Sequence, residues 1–330
     1  MNCSKCLSVS RQSSLIATYT VYAIEGFILI LSNFTVFFAI VRQKVIWRKK
    51  QYVLIAALSL INGVNGLACV IGGISRLYFI RSGTANQLVT RWHCFLTIQQ
   101  LWAWSDPLAA LMLVVISLDR LIAVTFPLRY FKLDYRYALI LCGSAYFYTF
   151  LTVLAAAFMT YPLKARIYPK MCSSGWSYHP SYHKFLMHEI LVFPTLSVLL
   201  YGVVLGLYRK DRTRVGPSQR QKKEQRDQSR VTRSLAISAG LTLLFNVLPR
   251  MVKLAVTLTD HPPGLFVFVT ANGFALSNLD SILDFFVFTL RHQDLRLATV
   301  HLFKCKELTQ ARLDQMTQLN SRTERRSVKK

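Results

Sequence analysis

Seven long apolar segments restrict the fold of this chain more than any other feature of its sequence. A helix needs about 20 largely apolar residues to cross the hydrocarbon core of a bilayer. Segments of that length or longer lie at residues 15–41, 52–73, 95–124, 137–161, 185–208, 234–258 and 264–290. Charged residues make up 17% of the chain, below the roughly 25% that is usual in soluble domains. We therefore predict an all-α membrane protein, built as a bundle of seven transmembrane helices.

The positive charge of the chain indicates how these helices are oriented. The net charge is +25, which could also indicate nucleic-acid binding. However, most of the Lys and Arg residues fall in alternate hydrophilic gaps and in the C-terminal tail, and positive loops stay cytoplasmic. We expect the N-terminus outside, the C-terminus inside and the lipid bilayer, not nucleic acid, as the partner of this surface.

The domain organisation follows from this topology. Residues 1–14 form an extracellular N-terminus, residues 15–290 the transmembrane domain, and residues 291–330 a cytoplasmic end with a short amphipathic eighth helix and a basic tail. The chain has no Gly-rich phosphate loop, no paired CxxC motifs at zinc spacing and no HExxH motif. We therefore expect no enzymatic activity, no cofactor and no metal site.

A charged pair, Asp119 and Arg120, ends the third apolar segment, in which Asp106 is the one other charged residue. Ionisable residues at a membrane boundary are costly and usually functional. The pair begins the run DRLIAVTFPLRY, which resembles the Asp-Arg-Tyr region of rhodopsin-like G-protein-coupled receptors, with Leu121 where that family usually has Tyr. The resemblance implies an intracellular switch that a heterotrimeric G protein reads.

Residues of the fifth and sixth segments extend the resemblance. Pro194 and Tyr201 resemble the Pro and Tyr of the family's fifth helix, one residue closer together than usual, and Pro249 matches the proline of its sixth helix. A proline inside a membrane helix frees a backbone carbonyl and permits bending. The resemblance therefore implies kinks at Pro194 and Pro249 and a place for Tyr201 in the switch.

Three polar residues, Asn33, Asn62 and Asp284, lie deep in the first, second and seventh segments. A carboxylate at that depth needs a partner or water, so we expect the three to converge on one hydrated cluster. The alternative is separate hydrogen bonds between neighbouring helices. Compared with the rhodopsin-like pattern, Asn62 replaces an Asp, and Asp284 stands in the Asn place of the seventh-helix motif, which reads SILDFFVF here.

The run DRLIAVTFPLRY, the altered seventh-helix motif and the missing Trp before Pro249 are most similar to the nematode serpentine chemoreceptors of the Srsx type. That resemblance implies a chemosensory receptor for a small external ligand, with arrestin and a receptor kinase as further partners. It places the chain in the plasma membrane, with the sensory cilium as the narrower alternative. The alternatives are a peptide or lipid receptor of the same class, and a seven-helix transporter or channel, although the chain shows no internal repeat.

Two cysteine positions are explained by the resemblance. The family commonly joins the outer end of its third helix to the loop between helices four and five, which implies a disulfide between Cys94 and Cys172. Cys305 lies beyond the seventh segment, after a Leu-Phe pair, and is either palmitoylated or an unmodified thiol on an amphipathic helix.

The ligand pocket is expected to open outward between helices three, five, six and seven. The residues that we predict to line it are polar or aromatic side chains in the outer halves of these segments: Gln99, Trp102, Asp106, Glu189, Arg250 and Asn278. Asp106 either binds an amine on the ligand or forms an internal salt bridge with Arg250, and the sequence favours neither a cationic nor an anionic ligand.

Overall fold

The structure is a computed structural model of the chain and describes residues 9–163, 166–172, 177–212, 236–252 and 263–304. We number its long helices in chain order: α1 Val9–Arg42, α2 Lys50–Arg81, α3 Gln100–Thr125, α4 Tyr135–Thr160, α5 Pro180–Arg212, α6 Ala236–Val252, α7 Pro263–Arg291 and α8 Gln293–Phe303. Short helices lie at Lys44–Trp47, Arg91–Cys94 and Pro127–Lys132, and π-helical turns at Phe95–Gln99 and Leu243–Val247.

Within the described residues, six helices are long and apolar enough to cross a bilayer. They are Ser13–Arg42, Lys50–Arg81, Gln100–Thr125, Tyr135–Thr160, Pro180–Arg209 and Asn272–Leu290. α6 is also apolar but shorter, since its described part ends at Val252. The prediction of a helical membrane protein with several spans is confirmed. A short helix, α8, follows α7, and its role as an amphipathic eighth helix stays a prediction. Seven crossings remain a prediction.

Several helices are longer than their apolar segments, and α1 and α2 are clear examples. α1 begins at Val9, before residue 15, and α2 continues to Arg81, beyond residue 73. Hydropathy marks only the part of a helix that lies in hydrocarbon, whereas backbone hydrogen bonding continues through polar residues at its ends. The predicted boundary at residue 15 therefore does not coincide with the start of the helix.

A small antiparallel sheet is an element that the all-α prediction missed. Strand β1, Leu88–Thr90, pairs with strand β2, Arg166–Pro169, with Leu88 opposite Pro169 and Val89 opposite Tyr168. Strands this short carry too few residues for an alternating pattern to be visible in the sequence. The sheet ties the loop before α3 to the loop after α4.

The bundle is apolar outside and holds its polar residues inside. Large side chains such as Ile140 and Phe158 are more than 70% exposed, at 71% and 72%. In contrast, Asn62, Asp119 and Asp284 are all less than 5% exposed. An apolar exterior suits lipid, in which buried polar groups must find partners within the protein.

α1 and α2 meet at two glycines. A Cβ atom on Gly66 would lie 2.8 Å from the backbone oxygen of Gly26, and one on Gly26 would lie 2.7 Å from the backbone oxygen of Gly66. Small residues allow membrane helices to approach until their backbones touch. This contact places the buried faces of α1 and α2 around the interior that contains the polar side chains.

Candidate functional site

The charged pair near the C-terminal end of α3 is fully enclosed. Asp119 is 0% exposed and Arg120 is 3% exposed. Arg120 Nε donates to Asp119 Oδ2 at 2.9 Å, and its Nη2 donates to the same oxygen. Within the described residues, the other carboxylate oxygen, Oδ1, has no hydrogen-bond partner. The contacts of Asp119 therefore converge on one oxygen, and charge-assisted hydrogen bonds of this kind are strong.

Tyr130 completes this pair from the short helix Pro127–Lys132. Its hydroxyl accepts a hydrogen bond from Arg120 Nη2 at 2.9 Å and donates one to Asp119 Oδ2 at 3.1 Å. Burial raises the pKa of Tyr130 above its usual value, so the phenol stays neutral and performs both roles. No role was predicted for Tyr130, because its position depends on how the loop after α3 folds back.

The basic start of α2 fixes the elements around Tyr130. Lys50 Nζ donates to the backbone oxygens of Tyr130 and Leu133 and lies 3.4 Å from the centre of the Tyr130 ring. Lys49 forms a salt bridge with Asp294 of α8 at 2.6 Å. Two neighbouring lysines thus hold the short helix Pro127–Lys132 on one side and α8 on the other.

Tyr201, which the resemblance places in the switch, lies near the charged pair. It is 3% exposed and close enough to Arg120 for an electrostatic interaction. Its hydroxyl has no hydrogen-bond partner among the described residues. Leaving a buried hydroxyl without a partner is costly. The Tyr201 hydroxyl would therefore gain a hydrogen bond with Arg120 if the arginine left Asp119.

Asp106 and Arg250 form the internal salt bridge that the sequence offered as one of two alternatives. Arg250 Nη2 lies 3.0 Å from Asp106 Oδ1, and Arg250 Nη1 donates to the backbone oxygen of Ile190. These two contacts join α6 to α3 and to α5. Asp106 and Arg250 were both predicted to line the ligand pocket, and here the two side chains pair with each other.

A small polar cavity below this ion pair contains several of the predicted residues. Its volume is about 30 Å³, which is room for about one or two water molecules. It is lined from α2, α3, α6 and α7, and the predicted residues among its lining are Asn62, Asp106, Arg250, Asn278 and Asp284. Asn62 and Asp284 therefore share one polar cavity.

Asn33 does not share the contacts of Asp284. Its side-chain amide donates to the backbone oxygen of Leu29 and to Ser32 Oγ, both at 3.2 Å and both within α1. Asp284 instead accepts from Ser238 Oγ at 2.5 Å, which joins α7 to α6. The expected three-residue cluster is therefore corrected to Asn62 and Asp284, because the amide of Asn33 donates to a backbone oxygen one turn earlier in its own helix.

A second chain of hydrogen bonds crosses the bundle near the same cavity. Ser105 Oγ donates to Asn65 Oδ1 at 3.2 Å, Asn65 Nδ2 to Asn278 Oδ1 at 3.3 Å, and Asn278 Nδ2 to Glu25 Oε2 at 3.1 Å. The chain connects α3, α2, α7 and α1. Among these residues only Asn278 was predicted, although a lone acid in the first apolar segment was a signal for Glu25.

Two predicted pocket residues lie elsewhere. Glu189 is 5% exposed and accepts a hydrogen bond from the hydroxyl of Tyr148 at 2.6 Å, so it belongs to the contact between α4 and α5. Trp102 packs on Gly72 of α2, where an added Cβ would lie 2.6 Å from its ring, and its ring centre lies 5.9 Å from that of Phe274 in α7. The side chain of Gln99 lies outside the described residues.

A disulfide lies at the end of the bundle opposite the charged pair. Cys94 and Cys172 are bonded, with their Cα atoms 5.2 Å apart, as the resemblance implied. Arg76 of α2 donates from Nε to the backbone oxygen of Met171 at 3.1 Å and from Nη2 to that of Cys172 at 2.9 Å. The segment after β2 is therefore held by one covalent bond and by one buried arginine that the sequence did not indicate.

The remaining predicted residues are readily placed. Pro194 lies inside α5. Pro249 lies in α6, two residues after the π-helical turn Leu243–Val247. Cys305 lies outside the described residues, directly after the part of the chain that contains α8.

Comparison with known proteins identifies the class of this bundle. No protein among those with curated descriptions matches the chain. A family model described as the serpentine type seven-transmembrane G-protein-coupled chemoreceptor Srsx matches residues 27–303, which include the charged pair of α3, the disulfide and the polar cavity. The chain therefore belongs to the Srsx family of serpentine seven-transmembrane chemoreceptors.

Proposed function

We propose that the protein detects a small external molecule and activates a heterotrimeric G protein, with seven helices crossing the membrane and the N-terminus outside. The end that carries the Cys94–Cys172 disulfide would then face the oxidising side, where such bonds persist. The opposite end carries Asp119, Arg120 and the basic start of α2, and positive segments favour the cytoplasmic side. The charge pattern and the disulfide thus support the same orientation.

The observation that carries the proposal is the closed contact of Arg120 with Asp119 and Tyr130. Arg120 is 3% exposed, so a G protein cannot reach it in this arrangement. Releasing it requires breaking its hydrogen bonds to both partners. A ligand can supply that free energy only if it binds the released state more tightly than the closed one. We therefore assign this structure to the resting state.

The contacts of α6 with α3 and α7 indicate how a ligand would act. The Asp106–Arg250 ion pair holds α6 to α3, and the Ser238–Asp284 hydrogen bond holds it to α7. A ligand that changes the packing in the outer part of the bundle would weaken this ion pair and this hydrogen bond, and α6 would then move away from Arg120. The buried hydroxyl of Tyr201 has no hydrogen-bond partner among the described residues, and it would then accept a hydrogen bond from the released guanidinium.

The cytoplasmic end would complete the signalling surface. α8 is held at the inner end by the Lys49–Asp294 salt bridge. Cys305 follows it directly, and a palmitoyl chain there would anchor α8 to the bilayer. We further propose that arrestin and a receptor kinase act on the tail that follows and that the receptor works in the plasma membrane of a sensory cell.

The test is nucleotide exchange in membranes that contain the full chain and a heterotrimeric G protein. A panel of volatile and water-soluble small molecules is screened for stimulated GTPγS binding. Any hit is then repeated with Arg120→Ala, which we expect to abolish the stimulation, and with Arg81→Ala, an exposed arginine at the other end of α2 that we expect to behave as the unchanged chain. Stimulation that survives Arg120→Ala would overturn the switch. Ligand-dependent ion or solute flux without exchange would indicate a transporter or channel.

A further inference from the structure

A second cavity, separate from the polar one, opens between the outer ends of α2 and α3. Its volume is about 440 Å³, which lies within the usual range of small-molecule sites. Its walls are largely apolar, with Ile71, Phe79, Ile98 and Leu101 among them. The segment 170–172, which the disulfide holds in place, covers one side. A cavity with this size and lining suits a ligand with an apolar body.

Arg76 gives the cavity a positive charge. Its side chain is 8% exposed and lies over the rings of Trp102 and Tyr19, with Cζ 4.9 Å and 5.3 Å from the ring centres. Nε and Nη2 donate to the backbone oxygens of Met171 and Cys172. Among the described residues, no carboxylate forms a salt bridge with Arg76. This buried cation therefore has no anionic partner in the part of the chain that the structure describes.

Lys170 adds a second positive charge to the same wall. Its Nζ lies 4.9 Å from the centre of the Phe79 ring and 3.4 Å from Gln87 Oε1. No acidic side chain is found among the described residues that line the cavity. Burying a cation without an opposite charge is costly, and carbonyl oxygens and ring faces offset only part of that cost. An anion in the cavity would supply the missing partner.

We propose that this cavity binds an organic anion with an apolar body. A carboxylate or phosphate group would pair with Arg76 and Lys170, and the apolar part would pack against Ile98 and Phe79. The inference rests on the proposed function, because it names the ligand class of that receptor. By contacting both Arg76 and Lys170, such an anion would connect α2 to the segment that the disulfide bonds to Cys94. It would also act on Trp102, which contacts both Arg76 and Phe274 of α7.

The anion could be a free acid from the medium or a lipid of the outer leaflet, and two experimental arms separate these sources. In the first, the full chain in nanodiscs of neutral phosphatidylcholine is titrated with sodium octanoate, octylamine or octanol while its Tm is followed. We expect saturable stabilisation by octanoate alone. In the second, phosphatidylserine replaces part of the lipid without any added acid. Stabilisation in that arm alone would support the site with a lipid as its occupant.

Matched variants connect the effect to the cavity. Arg76→Gln and Lys170→Gln should each weaken the anion's apparent affinity by about tenfold, the loss expected for one charged hydrogen-bond partner. The controls Arg81→Gln and Lys184→Gln change exposed residues outside the cavity and should bind as the unchanged chain does. If Arg76→Gln fails to fold, Lys170→Gln decides alone, because Lys170 makes none of the hydrogen bonds of Arg76.

Three results would overturn the inference. They are equal stabilisation by octylamine or octanol, no stabilisation by either source of anion, and anion binding that neither cavity variant weakens. The measurement contains no G protein, so it is independent of signalling. Anion binding by a chain that never stimulates nucleotide exchange would contradict the proposed function and leave the site intact. Nucleotide exchange driven by other ligands, without anion binding, would support the proposed function and contradict the anion site.

Discussion

The hydroxyl of Tyr130 lies 3.1 Å from Oδ2 of the buried Asp119 and donates a hydrogen bond to it. The same hydroxyl accepts from Arg120, so a residue of the loop after α3 joins the acid and the base of one pair. Leu121, next to the pair, offers no such group. The loop helix thus supplies the phenol that holds Arg120 in its closed position.

Removing this phenol should loosen the closed state. In Tyr130→Phe, Arg120 and Asp119 each lose one hydrogen bond. A net loss of about 1 kcal/mol would raise ligand-independent GTPγS exchange roughly fivefold. The matched control is Tyr137→Phe, since the hydroxyl of Tyr137 has no hydrogen-bond partner among the described residues. Equal exchange rates in the two variants would show that Tyr130 does not restrain Arg120.

At this site, Asp119 was singled out from the sequence and Tyr130 was not. An Asp-Arg pair after a nearly uncharged segment stands out because charge at a membrane boundary is costly. Tyr130 is one of 15 tyrosines in the chain, and its role depends on the loop helix Pro127–Lys132 turning beneath α3. A turn of that kind leaves no periodic signal, so the partner of the pair was not visible.

The Asp106–Arg250 ion pair should behave as a coupled unit. Asp106→Asn or Arg250→Met alone leaves a partly buried charge without its partner, and we expect each to cost about 1–3 kcal/mol of stability, measured as a fall in Tm in detergent. The double variant should recover part of that loss, because it leaves neither charge unpaired. Strictly additive losses would mean that the two side chains do not interact in the folded protein.

The position of a polar residue along its segment was readable from the sequence, but the partner of its side chain was not. Asn62 and Asp284 both line the polar cavity. Asn33 is also buried, yet its amide donates to the backbone oxygen of Leu29, one turn earlier in α1. A buried amide can bond its own helix or a neighbouring one, and the sequence does not distinguish the two. Arg76 was missed because its partners are backbone oxygens, which no sequence pattern marks.

The Cys94–Cys172 disulfide should stabilise the outer end of the bundle. It closes a sequence separation of 78 residues, and loss of such a bond typically costs about 2–5 kcal/mol. We therefore expect dithiothreitol to lower the Tm of the purified chain. The double variant Cys94→Ser with Cys172→Ser should already have the lower Tm and should not respond further. A double variant as stable as the unchanged chain would show that the hairpin and Arg76 hold this end without the bond.

The contact between α1 and α2 should tolerate no side chain at Gly66. A methyl group there would lie 2.8 Å from the backbone oxygen of Gly26, and a backbone atom cannot move aside as a flexible side chain can. Forcing the two helices apart should cost about 1–3 kcal/mol, seen as a lower Tm for Gly66→Ala. Gly143→Ala is the matched control, because nothing lies within 4 Å of its added Cβ. Alanine also forms helix more readily than glycine, so this control should be neutral or slightly stabilising. If both variants gained stability equally, the backbones of α1 and α2 would have to be further apart in solution than in this structure.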